Sequence, residues 1–319
     1  MKVLMVEHFL PGSVYTLELC RALRTEEQIT IFCRKGAPRP LEGVQWKDKL
    51  YAGGKGWAEA LMRYGGGLLA LAAEICTGHY DVLHVQGFKD ARYEIPLYCK
   101  LKRHCGILVH TVHNLLPHEA SPRDRRLYGD FYRVCDLLVV HNLYCRQLLM
   151  DEYHLPPEKI CVTPHGSYTQ ISPKEHQLHT EKTEFLQFGV LRRYKGVDIL
   201  LEALARMTET QRSRVHVTVA GQQFPKLDAT DYAALIREKG LEGRVTLQLG
   251  HVPDEALDAL YQEADFCLFP YREIYGSGAL LMAYSYSKPV LASSIPAFEE
   301  ETDGGCTGLL FPPEEPDAL

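Results

Sequence analysis

No apolar run in this chain approaches the ~18 residues that a membrane-spanning helix needs. The opening stretch MKVLMVEHFLPG is too short for a signal peptide, and Glu7 and Pro11 interrupt it. The ten cysteines fall singly between Cys20 and Cys306, with no C-x-x-C pair and no zinc spacing. That pattern reads as reduced thiols in a cytosolic protein, not as a disulfide or metal framework. Basic residues do not dominate, and the formal net charge of −6 argues against a general nucleic-acid binder. Phosphate-binding signatures are also missing. No G-x-G-x-x-G follows the first apolar run, which disfavours a nicotinamide or flavin dinucleotide. No G-x-x-x-x-G-K-[ST] occurs, which disfavours a P-loop nucleotidase. Without a D-x-D, a metal-clamped diphosphate has no obvious ligands. These absences predict a soluble cytoplasmic protein with no metal and no resident cofactor, whose membrane contact is confined to its surface.

What is present is alternation. Strand-like runs such as KVLMV (2–6), ITIFC (29–33), DVLHV (81–85), GILVHTV (106–112), LLVVH (137–141) and KICVT (159–163) are separated by helical spacing. One helical stretch, 57–75, carries a triple glycine. A polar stretch without either period follows. A second series then runs through EFLQFG (184–189), VHVTVAG (215–221), RVTLQLG (244–250), FCLFP (266–270), KPVLAS (288–293) and TGLLF (307–311). With 319 residues, the pattern predicts an α/β protein of two doubly wound parallel-sheet domains, 1–168 and 183–319, with a linker at 169–182. Such domains imply a cleft, with ligands bound beyond the carboxyl ends of the strands.

Three turns at those ends hold the candidate chemistry. FGVLRRYKGVDILLEAL (188–204) places Arg192, Arg193 and Lys195 between a strand and a helix expected to start near Gly196. Unpaired N–H groups and full positive charge together suit a diphosphate, although charge alone reads equally as a solvated basic turn. The segment from Phe269 to Ser293 holds Gly276, Ser277 and Gly278 ahead of a helix. There the N–H groups of Ser277, Gly278, Ala279 and Leu280 are expected to face an anion, or Ser277 simply caps the helix. In the first half, Pro11, Gly12 and Ser13 follow the first strand. HTVHNLLPHE adds His110, expected inward-facing by alternation, and His113, His118 and Glu119 in the turn beyond it. His165 lies at the domain boundary, with a hinge role as an alternative.

With TVHNLLPHE, VTPHG, LGHVPDEALDALYQEADFCLFP and SGALLMAYSYSKPVLASSIPAFEE, the basic turn resembles family-4 retaining glycosyltransferases of GT-B fold, in order along nearly the whole chain. The resemblance implies metal-independent transfer of a sugar from a nucleotide diphosphate (UDP- or GDP-sugar) to an acceptor hydroxyl, with retention, in polysaccharide or glycoconjugate assembly. It implies a diphosphate grip by Lys195 and Arg192, with Arg193 behind, since Val190 occupies the place of the family arginine. Gly12 matches a loop closing over the phosphates, and His113 a histidine near sugar and acceptor. His251 and Val252 match a segment meeting the base. Two glutamates eight positions apart are often found in the family; those places fall here at Ile274 and Met282, and Glu273 stands beside the first. Met282 is a poor partner for ribose hydroxyls. The family's closing C-terminal helices have no counterpart after FPPEEPDAL. The alternative is a non-catalytic nucleotide-sugar-binding or regulatory module; an epimerase of the same fold is disfavoured by the missing glutamates. The acceptor is a glycan, a lipid-linked sugar or a small molecule. Trp57, Met62 and Tyr64, with the basic stretches 100–105 and 121–133, form either a peripheral contact at the inner membrane face or an ordinary amphipathic core helix with solvated basic helices beside it.

Overall fold

A computed structural model of the chain describes residues 1–10, 13–51, 53–117, 120–168, 171–175 and 177–319. It divides into two compact units, Met1–His165 and Gly166–Leu319. Gly12, His118 and Glu119 lie outside the described residues.

The first unit is built on seven strands: β1 (Lys2–Glu7), β2 (Gln28–Arg34), β3 (Gln45–Leu50), β4 (Val82–Val85), β5 (Ile107–Thr111), β6 (Leu137–Val140) and β7 (Ile160–Val162). They pair in parallel in the order β3-β2-β1-β4-β5-β6-β7. β1 is buried from Val3 to Glu7, as a central strand covered on both faces must be. β3 has the sequence QWKDKL and was not evident as a strand, because an edge strand need not be apolar. The helix Trp57–Gly78 passes unbroken through its triple glycine. A Cβ at Gly67 would stand 3.1 Å from the Lys49 carbonyl oxygen, so the missing side chain lets this helix lie on β3. Helices Ala91–Leu101 and Pro122–Val134 follow beside it, with Tyr64 Oη donating to Glu94 at 2.7 Å, and bury Tyr98, Phe131 and Tyr132. The order reverses between β1 and β4, which opens a crevice at their carboxyl ends.

The second unit repeats the plan with β8 (Thr183–Phe188), β9 (Val215–Gly221), β10 (Val245–Leu249), β11 (Phe266–Phe269), β12 (Val290–Ser293) and β13 (Gly308–Phe311). Their order is β10-β9-β8-β11-β12-β13, again all parallel, with the reversal between β8 and β11. Helix Val197–Arg206 turns Val197, Leu200, Leu201 and Leu204 onto Val217 and Val219. Helix Gly278–Ser285 sets Leu280 and Ala283 against Leu186, Phe269 and Ala292 on the opposite face. The stretch expected as linker is tied to this unit by hydrogen bonds. Lys174 N–H donates to Gln262 Oε1 (3.2 Å) and His179 N–H to Asp265 Oδ1 (3.1 Å). Polar anchoring of this kind leaves no apolar period in a sequence.

Candidate active site

In the second unit the chain leaves β8 at Gly189, whose φ of +131° suits glycine. Arg193–Lys195 then form a 3-10 turn, and Gly196 (φ +66°) opens the helix Val197–Arg206. The basic residues therefore sit one turn away from the helix proper. A side chain at Gly196 would fall on the carbonyl oxygen of Pro270, the first residue beyond β11. That close approach sets the turn after β8 against the turn after β11.

Arg272 fastens the same junction. Its guanidinium donates to both Asp198 oxygens (2.9 and 2.8 Å), to the Arg193 carbonyl (2.6 Å) and to Glu314 (2.9 Å). Its N–H donates to the Tyr194 carbonyl at 2.7 Å. This cation is fully engaged in structure. Its partners lie far away in sequence, so only the fold reveals the role.

Lys195 is different. It is 9% exposed, and its Nζ lies 5.1 Å from the centroid of the Tyr271 ring. Among the described residues no carboxylate pairs with it. Gln187 Nε2 donates to the Lys195 carbonyl (2.7 Å), fixing the backbone beneath. Burial holds its pKa below the ordinary lysine range; Tyr194 opposes that shift and Arg192 adds to it. Arg192 is half-buried nearby, and Arg193 is exposed.

The glycine turn departs from expectation at two of its four donors. Ser277 Oγ caps the helix, accepting from Leu280 N–H at 3.2 Å, so Leu280 is engaged. Ser277 N–H donates to Glu301 Oε1 at 3.1 Å. Gly278 and Ala279 keep N–H groups at the helix start that no described residue accepts from. Gly276 precedes them, half-buried, and Glu273 is exposed in the turn. Ile274 and Met282 both pack on the apolar cluster, so neither offers a polar group where the resemblance places glutamates. His251, exposed, and Val252, half-buried, follow β10 on the same sheet edge, two strands away from β8.

In the first unit His113 follows β5. Its Nε2 lies 3.2 Å from Gln86 Oε1 and its Nδ1 3.3 Å from His141 Nε2. His141 Nδ1 stands 3.0 Å from the Thr163 carbonyl, which can only accept. His141 therefore carries its proton on Nδ1 and accepts at Nε2. Gln86 Oε1 can likewise only accept, so the single proton of a neutral His113 serves either Gln86 from Nε2 or His141 from Nδ1. Burial keeps both rings neutral, lowering His141 to about 4 and His113 well below the usual range. The Tyr15 ring contacts His113, His141 and His165 with centroids 4.8–4.9 Å away. His110 points inward, Nδ1 2.8 Å from the Val85 carbonyl, as alternation predicts. Tyr15 and His141 were missed; His141 ends a strand at the carboxyl edge, the same signal that marks His113.

Residues 182–319 match the family model described as "Glycosyl transferases group 1", and residues 12–170 match "Glycosyltransferase Family 4". A D-inositol 3-phosphate glycosyltransferase of Corynebacterium aurimucosum is 28% identical over 93% of this chain and 78% of its own length. A GDP-mannose:glycolipid 4-beta-D-mannosyltransferase of Xanthomonas campestris pv. campestris is 27% identical over 69% of this chain, which spans 63% of that protein. Sucrose-phosphate synthase from Thermosynechococcus elongatus superposes with a TM-score of 0.80 at 18% identity, over all of this chain and 88% of that one, a likeness of fold. With both halves matched in order on two parallel-sheet α/β units, the chain belongs to the group 1, family 4 glycosyltransferases.

Proposed function

We propose that this protein transfers a sugar from a nucleoside-diphosphate donor, a UDP- or GDP-sugar, to an acceptor hydroxyl, with retention and without a metal ion. The observation that carries the reading is Lys195: a buried ammonium with no carboxylate partner among the described residues, at the strand-order reversal between β8 and β11. An unpaired buried charge is costly, and a diphosphate is the anion that would compensate it. As the glycosidic bond breaks, the sugar gains oxocarbenium character and negative charge moves onto the leaving diphosphate. Lys195, Arg192 and the N–H groups of Gly278 and Ala279 would stabilise that charge. Arg193, exposed, adds to the local potential. Gly12 is assigned to the phosphates, His251 and Val252 to the base, and Glu273 to the donor sugar. His113, a neutral imidazole, is assigned to the sugar and the acceptor hydroxyl.

The test is release of nucleoside diphosphate from a panel of nucleotide sugars. Lys195→Ala should lower turnover about 10²–10³-fold, the loss typical of a donor aimed at developing charge. Near-normal turnover would remove the assignment. Met282, half-buried against the apolar cluster, favours one rival, a binding module without catalysis. That rival requires nucleotide-sugar binding with no product under any acceptor. For the acceptor we propose a glycan, a small molecule or a lipid-linked sugar. The last accords with the exposed Trp57, Leu61, Met62 and Leu69 on helix Trp57–Gly78, and with a cytoplasmic protein that touches a membrane peripherally.

A further inference from the structure

Glu301, the last residue of helix Pro296–Glu301, was not evident as a site residue, yet its side chain reaches under the glycine turn. Its Oε1 accepts from Ser277 N–H at 3.1 Å, and its Oε2 is buried with no hydrogen-bond partner among the described residues. No lysine or arginine among the described residues pairs with it. The titratable groups around it are Tyr271 at the end of β11, Tyr284 on helix Gly278–Ser285 and Glu300 on its own helix. Two of these are phenols, Tyr284 being bonded to Thr307 at 2.9 Å, and the third is an acid; none supplies positive charge.

We propose that Glu301 is a positioning residue that holds the glycine turn and couples diphosphate binding there to the uptake of a proton. The inference rests on the proposed donor site. By taking Ser277 N–H, the carboxyl leaves Gly278 and Ala279 as the donors that face an anion. When ionised, it places a negative charge behind those two amides and competes with the diphosphate for the positive end of the helix Gly278–Ser285. When protonated it does not, and its Oε1 can still accept from Ser277. Burial moves this carboxyl up to about 7, so the change falls near neutral pH. A bound diphosphate raises it further, so binding takes up a proton and weakens as pH rises.

The experiment is calorimetric titration of wild type and Glu301→Gln with UDP-glucose and with GDP-mannose at pH 6, 7 and 8, in buffers of different ionisation enthalpy. The diphosphate diesters do not titrate in this range. Wild type should bind about fivefold more weakly at pH 8 than at pH 6, the size of one partly screened charge, and take up protons. Glu301→Gln, which keeps an oxygen for Ser277 but cannot ionise, should lose the slope. Binding without a slope in wild type, or a slope retained in Glu301→Gln, overturns the coupling and leaves the donor site standing. The Ser277 amide resonance of ligand-free wild type gives a second readout that does not need Glu301→Gln to fold. It should titrate near pH 7, and a flat profile overturns the clamp. Absence of nucleotide-sugar binding at every pH, with Ser277 titrating, overturns the donor site and the coupling while the clamp stands.

Discussion

At the scale of single residues, the same physical fact marks two side chains in opposite ways. Lys195 and Glu301 are both taken from water with no opposite charge paired to them among the described residues, and each is driven toward its neutral form by burial. For Glu301 the consequence for stability can be signed. Its folded-state pKa lies above the ordinary carboxyl value, so its stabilising contribution is complete at pH below about 4.5 and is lost as pH rises through about 7. Thermal melts of wild type should therefore fall between pH 6 and pH 8 more than those of Glu301→Gln; parallel curves would show that the carboxyl is not strained. Lys195 was legible from charge and position beside glycine. Glu301 was not, because 24 residues separate it from Ser277 and nothing in EEET marks one acid among three. Tyr15 stayed hidden for the same reason, its ring partners being distant in sequence, whereas His141 carried a readable signal at the end of its strand.

At the scale of elements, the turn after β8 owes its shape to glycine and to Arg272. Gly196 combines a left-handed backbone with direct contact against Pro270. Gly196→Ala should cost about 1–2 kcal/mol from the backbone conformation alone, and more as Pro270 is displaced. Urea denaturation measures this; an unchanged midpoint would mean that the two turns are not locked together. The strands themselves were readable wherever both faces are buried, as in β1 and β11, because continuous apolar runs leave little choice. β3 was not, being polar at a sheet edge, and helix Pro296–Glu301 was too short to show a period. The donors of the glycine turn were half legible. Glycine and serine foretold a helix start, but which N–H groups stay free depends on Ser277 capping one and Glu301 taking another.

At the scale of the molecule, the six strands of the second unit repeat the order of the first six strands of the first, with one reversal each, and in each unit the candidate residues gather at the carboxyl edge. Repetition of the strand–helix pattern foretold this; the sequence resemblance added the reaction class. Among the described residues no helix is long and apolar enough to cross a membrane. Helix Trp57–Gly78 nevertheless exposes Trp57 at 82% and Met62 at 71%. If this face meets lipid, the protein should float with anionic liposomes at low salt, and Trp57→Ser with Met62→Ser should abolish flotation. Failure of wild type to float would remove the membrane proposal without touching the donor site. The central claim, that Lys195 is the counter-charge of a donor diphosphate, is tested by the dissociation constants of UDP-glucose and GDP-mannose for wild type and Lys195→Met. An apolar stem of similar length removes the buried charge, so Lys195→Met should melt no lower than wild type. It should also bind the preferred nucleotide sugar at least about thirtyfold more weakly, about 2 kcal/mol, as expected for loss of a charge-assisted contact. Equal affinity in a stably folded Lys195→Met would contradict the account.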